Sequence, residues 1–242
     1  VIDILTPVFA DNDNIIIGLT KRMVESFPPN GISMGETNVF SEEQVLHYRH
    51  ILCSQLGIAD DCLVSARQVH GDVVADIRYK GQSILEADGF ITDCKGIVLM
   101  VKLADCCGVV CYDSKQQVTG IVHSGWRGTQ KKIAEKMLMK MKNLYGCKPE
   151  NIKAWITPCA SAEVYEVDWD VARFFPKSRT KKANGKYLFD NRKQIANQLL
   201  HCGLSEYNIE KANDCTITDT KLHSYRRDGL LSGRMGCFVL LK

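Results

Sequence analysis

Two imidazoles and one thiol stand out for where they fall. His70 ends the apolar run SARQVH, Cys106 follows VLMVKLAD, and His123 ends VTGIVH. Each run reads as a short strand, so each metal-capable residue sits at or just beyond a strand end. If these strands share a sheet and the ends face the same way, the three side chains converge. Nitrogen and sulfur donors in a set of three suit zinc, which in catalytic sites keeps its fourth position for water or substrate. Such an ion would hold the Cys106 sulfur as thiolate and bring the pKa of a bound water to roughly 7. The spacings of 36 and 17 residues match no short metal motif. Two plainer readings therefore stay open: a core histidine bonded to backbone, and a buried inert thiol. Cys107 and Cys111 compete as donors. Cys111 falls mid-strand, where it reads as core, and Cys107 points opposite to Cys106 in extended backbone.

The stretch HSGWRGTQ, 123–130, leads from the third of these strands into a helical pattern beginning at about Thr129. The orphan N–H groups of a helix start favour anions, and Gly128 would permit close approach. Arg127 either adds a charged fork there or stacks on Trp126. A second arginine is placed oddly. On a helical wheel of 41–57, Val45, Leu52 and Leu56 form the apolar stripe, and Arg49 lies in it. A buried guanidinium without a partner is costly. It must snorkel, pair with a carboxylate, or reach a pocket that binds an anion. The ending HSYRRDGLLSGRMG, 223–236, adds three more arginines, for which one salt-bridged cluster with Asp228 is the simplest account.

The elements that must position these residues follow from periodicity and turn signals. Strands are expected over 15–22, 62–70, 73–77, 97–103, 108–113, 118–123, 153–159 and 237–242. Helices are expected over 41–57, 131–146 and 190–203. Ser41 and Gln44 fit a capping box, Gly57 a helix stop, and Asp190 an N-cap. Ile133, Met137, Met141 and Leu144 share one face of the second helix. Helices are interspersed without regular alternation, which argues against a doubly wound sheet and for an α+β fold, a mixed α/β sandwich of central mixed sheets flanked by helices. No Pro/Gly/Ser-rich linker divides the chain, so one domain over 1–242 is expected. SRTKKANGK, 178–186, reads as a solvated loop.

Composition narrows the function. The 242 residues are 45% hydrophobic and 24% charged, an ordinary globular mix with a sizeable core. A net charge of +3 without a basic run gives no reason to expect nucleic acid. No apolar run reaches the roughly 18–20 residues of a membrane span, and VIDILTPVFADND lacks the basic n-region of a signal peptide. The 11 cysteines are odd in number and lie in apolar runs such as DCCGVVCYD. Buried thiols in a reducing cytoplasm are expected, not a disulfide framework.

Four stretches together resemble one family. RQVHGDVV is similar to its Gln-x-His-Gly motif, and ADGFITDCKGIVLMVKLADC to its Ala-Asp-Gly…Ala-Asp-Cys segment. VHSGWRGT is similar to its His-Ala-Gly-Trp-Arg-Gly motif, and HSYRRDGLLSGRMGCFV to its Ser-Tyr-Arg-Arg-Asp…Gly-Arg-Met ending. This is the purine nucleoside phosphorylase family with the laccase domain, also called polyphenol oxidase or peptidoglycan editing factor, and the likeness runs from about residue 35 to the end. The resemblance implies a CNF-like, laccase-domain type of sandwich. It implies a zinc site on His70, Cys106 and His123, which would be the catalytic centre. It implies phosphorolysis of adenosine, inosine and methylthioadenosine, with adenosine deamination besides, so that the partners are purine nucleosides and phosphate. Arg49 matches an arginine that the family keeps near the nucleoside; Gln68 and Arg127, inside two of the motifs, join it as substrate-binding candidates. The sequence departs from the pattern at Ser124 (usually Ala), at Cys107-Gly108 (usually an apolar residue and Pro), at Thr157 (usually within Gly-Pro), and in ISMGETNVF, where a glycine-rich stretch is barely visible.

Three other functions compete. A metal-free hydrolase would use Cys106 as nucleophile with His123 or His70 as base, on amide or cell-wall precursor substrates. A multicopper laccase would need on the order of ten histidines, and the chain has six: His47, His50, His70, His123, His201 and His223. A non-catalytic binding protein would leave Arg49 without a role.

Overall fold

The apolar runs fold as strands covered on both faces, which is why they read as nearly continuous Val/Ile/Leu. The computed structural model describes residues 1–10, 14–22 and 30–242. Strands are numbered in chain order. One sheet has the order Ile4–Leu5 (β1), Ile15–Thr20 (β2), Met235–Leu241 (β14), Val98–Leu103 (β6) and Leu63–Val64 (β3). A second has the order Ile209–Lys211 (β13), Ile152–Ile156 (β9), Cys107–Asp113 (β7), Val118–Ser124 (β8), Gly89–Thr92 (β5) and Val74–Asp76 (β4). A small third sheet joins Glu166–Val167 (β10), Tyr187–Phe189 (β12) and Arg179–Lys181 (β11). Parallel and antiparallel pairs mix in the first two: β3 runs parallel to β6 and β13 to β9, while β7 and β8 are antiparallel.

The first two sheets pack face to face, and side-chain alternation assigns each strand's residues to a layer. In β6, Leu99, Val101 and Leu103 point to the inter-sheet core; in β7, Val110 and Tyr112 meet them there, beside Trp155 of β9. The intervening residues face outward. Val98 and Met100 lie under Val45, Tyr48 and Leu52 of the helix Glu42–Leu56 (α1). Val109 and Cys111 lie under Met137 and Met141 of Ile133–Tyr145 (α3) and Ile195 and Leu199 of Asn191–His201 (α5). The result is a helix–sheet–sheet–helix sandwich, the mixed α+β class expected. Full burial of each such side chain stabilises the fold by about 1.5–3 kcal/mol. Both expected caps of α1 form: Ser41 and Gln44 close a reciprocal box, and Gly57 ends the helix in the left-handed region at φ 71°. Asp190 caps α5 by accepting from Lys193 N–H. The remaining helices are Trp126–Gln130 (α2), Trp169–Ala172 (α4) and Tyr225–Asp228 (α6). Among the described residues no helix is long and apolar enough to cross a membrane.

Several expectations need correcting. The run 62–70 forms a strand only over β3; beyond it the chain leaves that sheet and keeps a single parallel bridge, Arg67 to Glu86. The pattern at 153–159 ends its strand at Ile156. On α3, Leu144 is 51% exposed, and Ala134 and Leu138 complete the buried stripe instead. The basic stretch 178–186 supplies β11 and the turn to β12; its cations are surface-facing, but its backbone is paired. The helix after HSG begins at Trp126, not Thr129, and a left-handed Lys132 at φ 61° separates it from α3.

Candidate metal centre and its cavity

The antiparallel register of β7 and β8 sets Gly108 opposite His123 and Cys107 opposite Ser124. Cys106, one residue before β7, thus arrives beside the end of β8. His70 comes from the loop after β3. The donor atoms of His70, Cys106 and His123 all lie within 4.8 Å of one another. The two rings meet edge to face, centroids 4.8 Å apart and planes at 80°. Among the described residues this is the one group of His, Cys, Asp and Glu close enough to hold an ion.

Backbone strain marks both approaches. His70 sits at φ 55° and Asp105, immediately before Cys106, at φ 81°. Non-glycine residues in the left-handed region cost on the order of 1–3 kcal/mol and persist only where neighbours fix them. The neighbours here are carboxylates. Asp88, fully buried, accepts from the N–H of Val69 at 3.1 Å, His70 at 3.1 Å and Gly71 at 2.7 Å. Its Oδ1 also accepts from His123 Nδ1 at 2.8 Å. Because a carboxylate only accepts, Nδ1 carries the proton and His123 Nε2 is the free donor atom. One side chain thereby fixes the His70 loop and the His123 ring together. Asp105 is clamped in turn: Oδ1 accepts from the Thr216 hydroxyl at 2.7 Å and Oδ2 from Arg226 N–H at 2.7 Å.

Gly125 explains the first glycine of the motif. A Cβ there would stand 2.6 Å from Cys106 Sγ and 3.4 Å from His70 Cδ2. Electrostatics tie the donors together. Burial raises the Cys106 thiol, but facing His123 and His70 bring it down to about 6. Burial likewise opposes charge on His123, while Cys106 and Asp88 lift it to about 9. Without an ion the pair is a thiolate and an imidazolium at neutral pH. With two imidazoles, one thiolate, a second-layer carboxylate and a glycine clearance, the donor set fits a divalent metal.

The three donors open on a cavity of about 790 Å³. Arg49, Gln68 and Arg127 all line it, with the ring walls Trp126, Tyr165 and Tyr225. Among the described residues Arg49 pairs with no carboxylate; half-buried at the cavity, its Nε and Nη2 donate to Met34 O at 3.1 and 2.8 Å. The Gln68 amide is largely engaged in structure, donating to Lys102 O at 2.9 Å and accepting from Lys102 N–H at 2.6 Å. Arg127 is exposed and stacks on Trp126 at 4.3 Å, the plainer of its two readings. An anion at Gly128–Thr129 is contradicted: Thr129 is buried, its N–H donates to Gly125 O at 2.8 Å, and Gly128 packs on His123 O and Gly71 O. The C-terminal arginines also divide. Arg227 forks onto Asp228, as expected, but Arg226 and Arg234 line the cavity.

The departures from the resembled pattern have local reasons. Ser124 donates its hydroxyl to Thr129 Oγ1 at 2.9 Å, and Thr129 donates on to Asn191 Oδ1 at 2.7 Å, anchoring the loop to α5. Gly108 and Thr157 form a compensating pair. Where proline offers no N–H, Gly108 has one, and Thr157 Oγ1 accepts it at 2.9 Å. Reading the sequence for chemistry missed Asp88, Asp105, Lys102 and Arg234. The signal for Asp88 was a carboxylate set in EADGFIT; Asp105 and Arg234 lay inside quoted motifs without a role drawn from them, and Lys102 carried no signal.

Comparison with known proteins gives the chain its relatives. The chain is 30% identical over 226 residues to a purine nucleoside phosphorylase of Corynebacterium glutamicum, covering 90% of this chain and 91% of that one. It is 32% identical over 209 residues to adenosine deaminase RL5 from an unknown prokaryotic organism, covering 79% of each. The crystal structure of YlmD from Geobacillus stearothermophilus superposes with a TM-score of 0.88 at 26% identity, over 95% of this chain and 92% of that one. With a family profile matched over residues 20–242, the likeness read from four motifs extends through nearly the whole sequence, and the chain belongs to the family described as multi-copper polyphenol oxidoreductase laccase.

Proposed function

We propose that the protein is a zinc-dependent purine nucleoside enzyme, cleaving adenosine, inosine and methylthioadenosine by phosphorolysis and also deaminating adenosine. The observation that carries this reading is the set of three donors within 4.8 Å opening on a cation-lined cavity. At about 790 Å³ the cavity has room for a nucleoside and an anion together. Relatives named for both activities support it. Zinc is preferred to copper because two imidazoles and a thiolate are an ordinary zinc set. A laccase also needs several copper sites, and His47, His50 and His201 are exposed while His223 is spent on Ile32 O and Gly233 N–H.

His70, Cys106 and His123 would hold the ion, which when bound supplies a Lewis acid for the nucleoside or ionises water near neutral pH. The chain does the rest. Asp88 keeps the proton on His123 Nδ1 and so aims Nε2 at the site. Trp126, Tyr165 and Tyr225 offer ring faces to a purine. Phosphate taken into the cavity beside the anomeric carbon is the nucleophile; one of its oxygens forms the new C–O bond as the C–N bond to the base breaks, and the base takes up a proton. Deamination acts at a different carbon: a water oxygen forms a bond to C6 of the adenine as the C6–N bond breaks, and the amine takes up a water proton and leaves as ammonia. Gln68 and Arg127 take supporting parts, one as a wall fixed to Lys102, the other as a charge at the rim.

Metal-loaded protein incubated with adenosine, with and without phosphate, tests this. Adenine and ribose 1-phosphate appear only with phosphate, and inosine appears in both; if none of the three forms, the reading fails. The thiolate–imidazolium pair favours one rival, a Cys106–His123 hydrolase for amide or cell-wall precursor substrates. That enzyme keeps its activity in chelator and loses it to alkylation, whereas the zinc enzyme is silenced by chelator.

A further inference from the structure

Across the cavity from the metal donors, the segment 33–36 gathers three cations from three separate elements. Arg49 of α1 donates twice to Met34 O. Lys102 of β6 passes its stem so close to Gly35 that a Cβ there would stand 2.8 Å from Lys102 Cδ. The same Cβ would be 3.3 Å from Arg234 Cγ. Arg234, just before β14, is bonded to this segment through its main chain, with N–H to Ser33 Oγ at 2.9 Å and O from Met34 N–H at 2.8 Å. All three side chains are half-buried and line the cavity.

Their partners are carbonyls. Lys102 Nζ donates to Ala66 O at 2.9 Å, and Arg234 Nη1 to Ser232 O and Gly233 O at 3.0 and 2.8 Å. Among the described residues none of the three has a carboxylate oxygen within 4.0 Å. Glu36 and Asp105 also line the cavity, and Asp105 is already held by the Thr216 hydroxyl and the Arg226 N–H, so the three cations outnumber the carboxylates of this lining. Arg234 also lies over the Tyr225 ring at 5.7 Å. Of the other cavity cations, Arg67 pairs with Glu86, Arg127 lies exposed on Trp126, and Arg226 lies over Tyr165 and donates to Glu166 O. Burial first, then Arg49 and Arg234 against the opposing Glu36, bring the Lys102 ammonium down to about 8. A half-buried cluster of like charge is costly unless something of opposite charge completes it.

We infer that Arg49, Lys102 and Arg234 form an anion subsite for a phosphate dianion, either free phosphate or a phosphoryl group carried by the ligand. This deepens the nucleoside reading and rests on it for the identity of the neighbouring ligand. It also replaces the Thr129 helix start as the place where the co-substrate anion is held. Each cation keeps N–H donors not spent on carbonyls, and Gly35 is the clearance that lets the Lys102 and Arg234 stems lie together.

The test is binding, without turnover, to the metal-loaded protein. Inorganic phosphate, AMP and adenosine are titrated separately against wild type, Lys102→Met, Arg234→Gln and Gly35→Ala, with thermal unfolding of each. Losing one charged donor is expected to weaken the phosphate-bearing probe about ten- to hundredfold, with adenosine binding changed less than threefold. Lys102→Met is expected to unfold no lower than wild type without ligand, since an uncompensated charge has been removed. Weakening of phosphate and AMP supports free phosphate as occupant; weakening of AMP alone supports a ligand-borne phosphoryl group. Unchanged affinity for both anions in Lys102→Met and Arg234→Gln overturns the inference, as does an equal loss of adenosine binding. Phosphorolysis proceeding with unchanged phosphate KM in both variants defeats this subsite and leaves the nucleoside reading standing. Variant-sensitive anion binding without any nucleoside reaction does the reverse.

Discussion

On one side of the cavity the chain answers its own charge: a buried carboxylate, Asp88, holds the His70 loop and the His123 ring, and the donors complete one another as thiolate and imidazolium. On the other side Arg49, Lys102 and Arg234 gather around one short segment with carbonyls for company. Both walls hang from strands of the same sandwich, so the sheets do not explain the difference. It lies in what finishes each wall. The donor wall is organised in advance, as a metal site must be when second-layer hydrogen bonds fix its ligands. The cation wall remains electrostatically unfinished until an anion arrives. A mutation in the first should therefore damage the fold and metal affinity together, while one in the second should separate binding from stability.

Asp88→Ala is expected to have the largest effect. It leaves the N–H groups of Val69, His70 and Gly71 without their acceptor inside the protein. An unsatisfied buried donor costs about 1–3 kcal/mol, and of the groups released the Gly71 N–H and the His123 ring N–H belong to buried residues, so the loss should be roughly 2–6 kcal/mol. Metal affinity should fall at least 10- to 100-fold, the usual effect of losing a second-layer partner. Denaturant unfolding and metal titration read both. Asp88→Asn, which keeps one acceptor oxygen, should fall between. A stable Asp88→Ala protein with wild-type metal affinity would remove the distinction between the walls.

The next effect belongs to the cation wall and is read by pH. His223 lies behind it, donating from Nε2 to Ile32 O at 2.7 Å and accepting at Nδ1 from Gly233 N–H at 3.1 Å. A second proton would turn Nδ1 against that N–H. Burial, partly opposed by the Ile32 carbonyl, and the charges of Arg22 and Arg234 bring its pKa from 6.5 to about 4. Between those values the unfolded chain binds more protons than the folded one, so stability falls as pH falls from 6.5 through 4. The loss is on the order of 3 kcal/mol once both states are protonated. His223→Gln, which cannot titrate, should lose less stability across that window in apo protein. Parallel acid curves for wild type and His223→Gln would dismiss this group as the cause.

Gly125→Ala returns to the donor wall with a smaller change. Its Cβ would fall 2.6 Å from Cys106 Sγ, so the thiol must move. Overpacking of this kind costs about 1–3 kcal/mol. Metal content after dialysis should drop, while binding of inorganic phosphate should change little. Phosphate binding lost in step with metal would mean that the walls are one unit.

What could be read in advance follows the same division. Strand existence was legible because burial on both faces leaves continuous apolar runs, and α1 was legible down to its caps because Ser41, Gln44 and Gly57 act locally. The three donors were legible because imidazole and thiol at strand ends are chemically conspicuous. Their bracing was not, since Asp88 acts through main-chain N–H groups that no spacing in the sequence reveals. The path of 62–70 departs from one continuous strand because the strand ends at Val64 and the chain then changes partner, bridging Glu86 at Arg67. The helix starts before the expected Thr129 because Gly125 serves as its N-cap, and the Thr129 hydroxyl is used on Asn191. The cation wall was legible only at Arg49, the one member lying on a helix whose periodicity exposes it.

The smallest expected effect concerns two departures that compensate each other beside the donor wall. Gly108 opposes His123 in the register, and its N–H donates to Thr157 Oγ1 at 2.9 Å, an acceptor the main chain there does not otherwise provide. Thr157 passes its own proton to Pro158 O at 3.0 Å. Thr157→Val keeps the shape and removes the acceptor, so it should cost about 1–2 kcal/mol, near the lower end for a buried unsatisfied N–H. Thr157→Ser keeps the hydroxyl but gives up a methyl packed close to Gly108, and should cost less. Because Gly108 lies only two residues from Cys106, metal binding reports whether the strain stays local. Unfolding midpoints ordered wild type, Ser, Val, with metal affinity held within a few-fold, would confine the hydroxyl's role to satisfying the strand. Metal affinity collapsing in Thr157→Val while stability holds would make Thr157 part of the centre's bracing, on a par with Asp88.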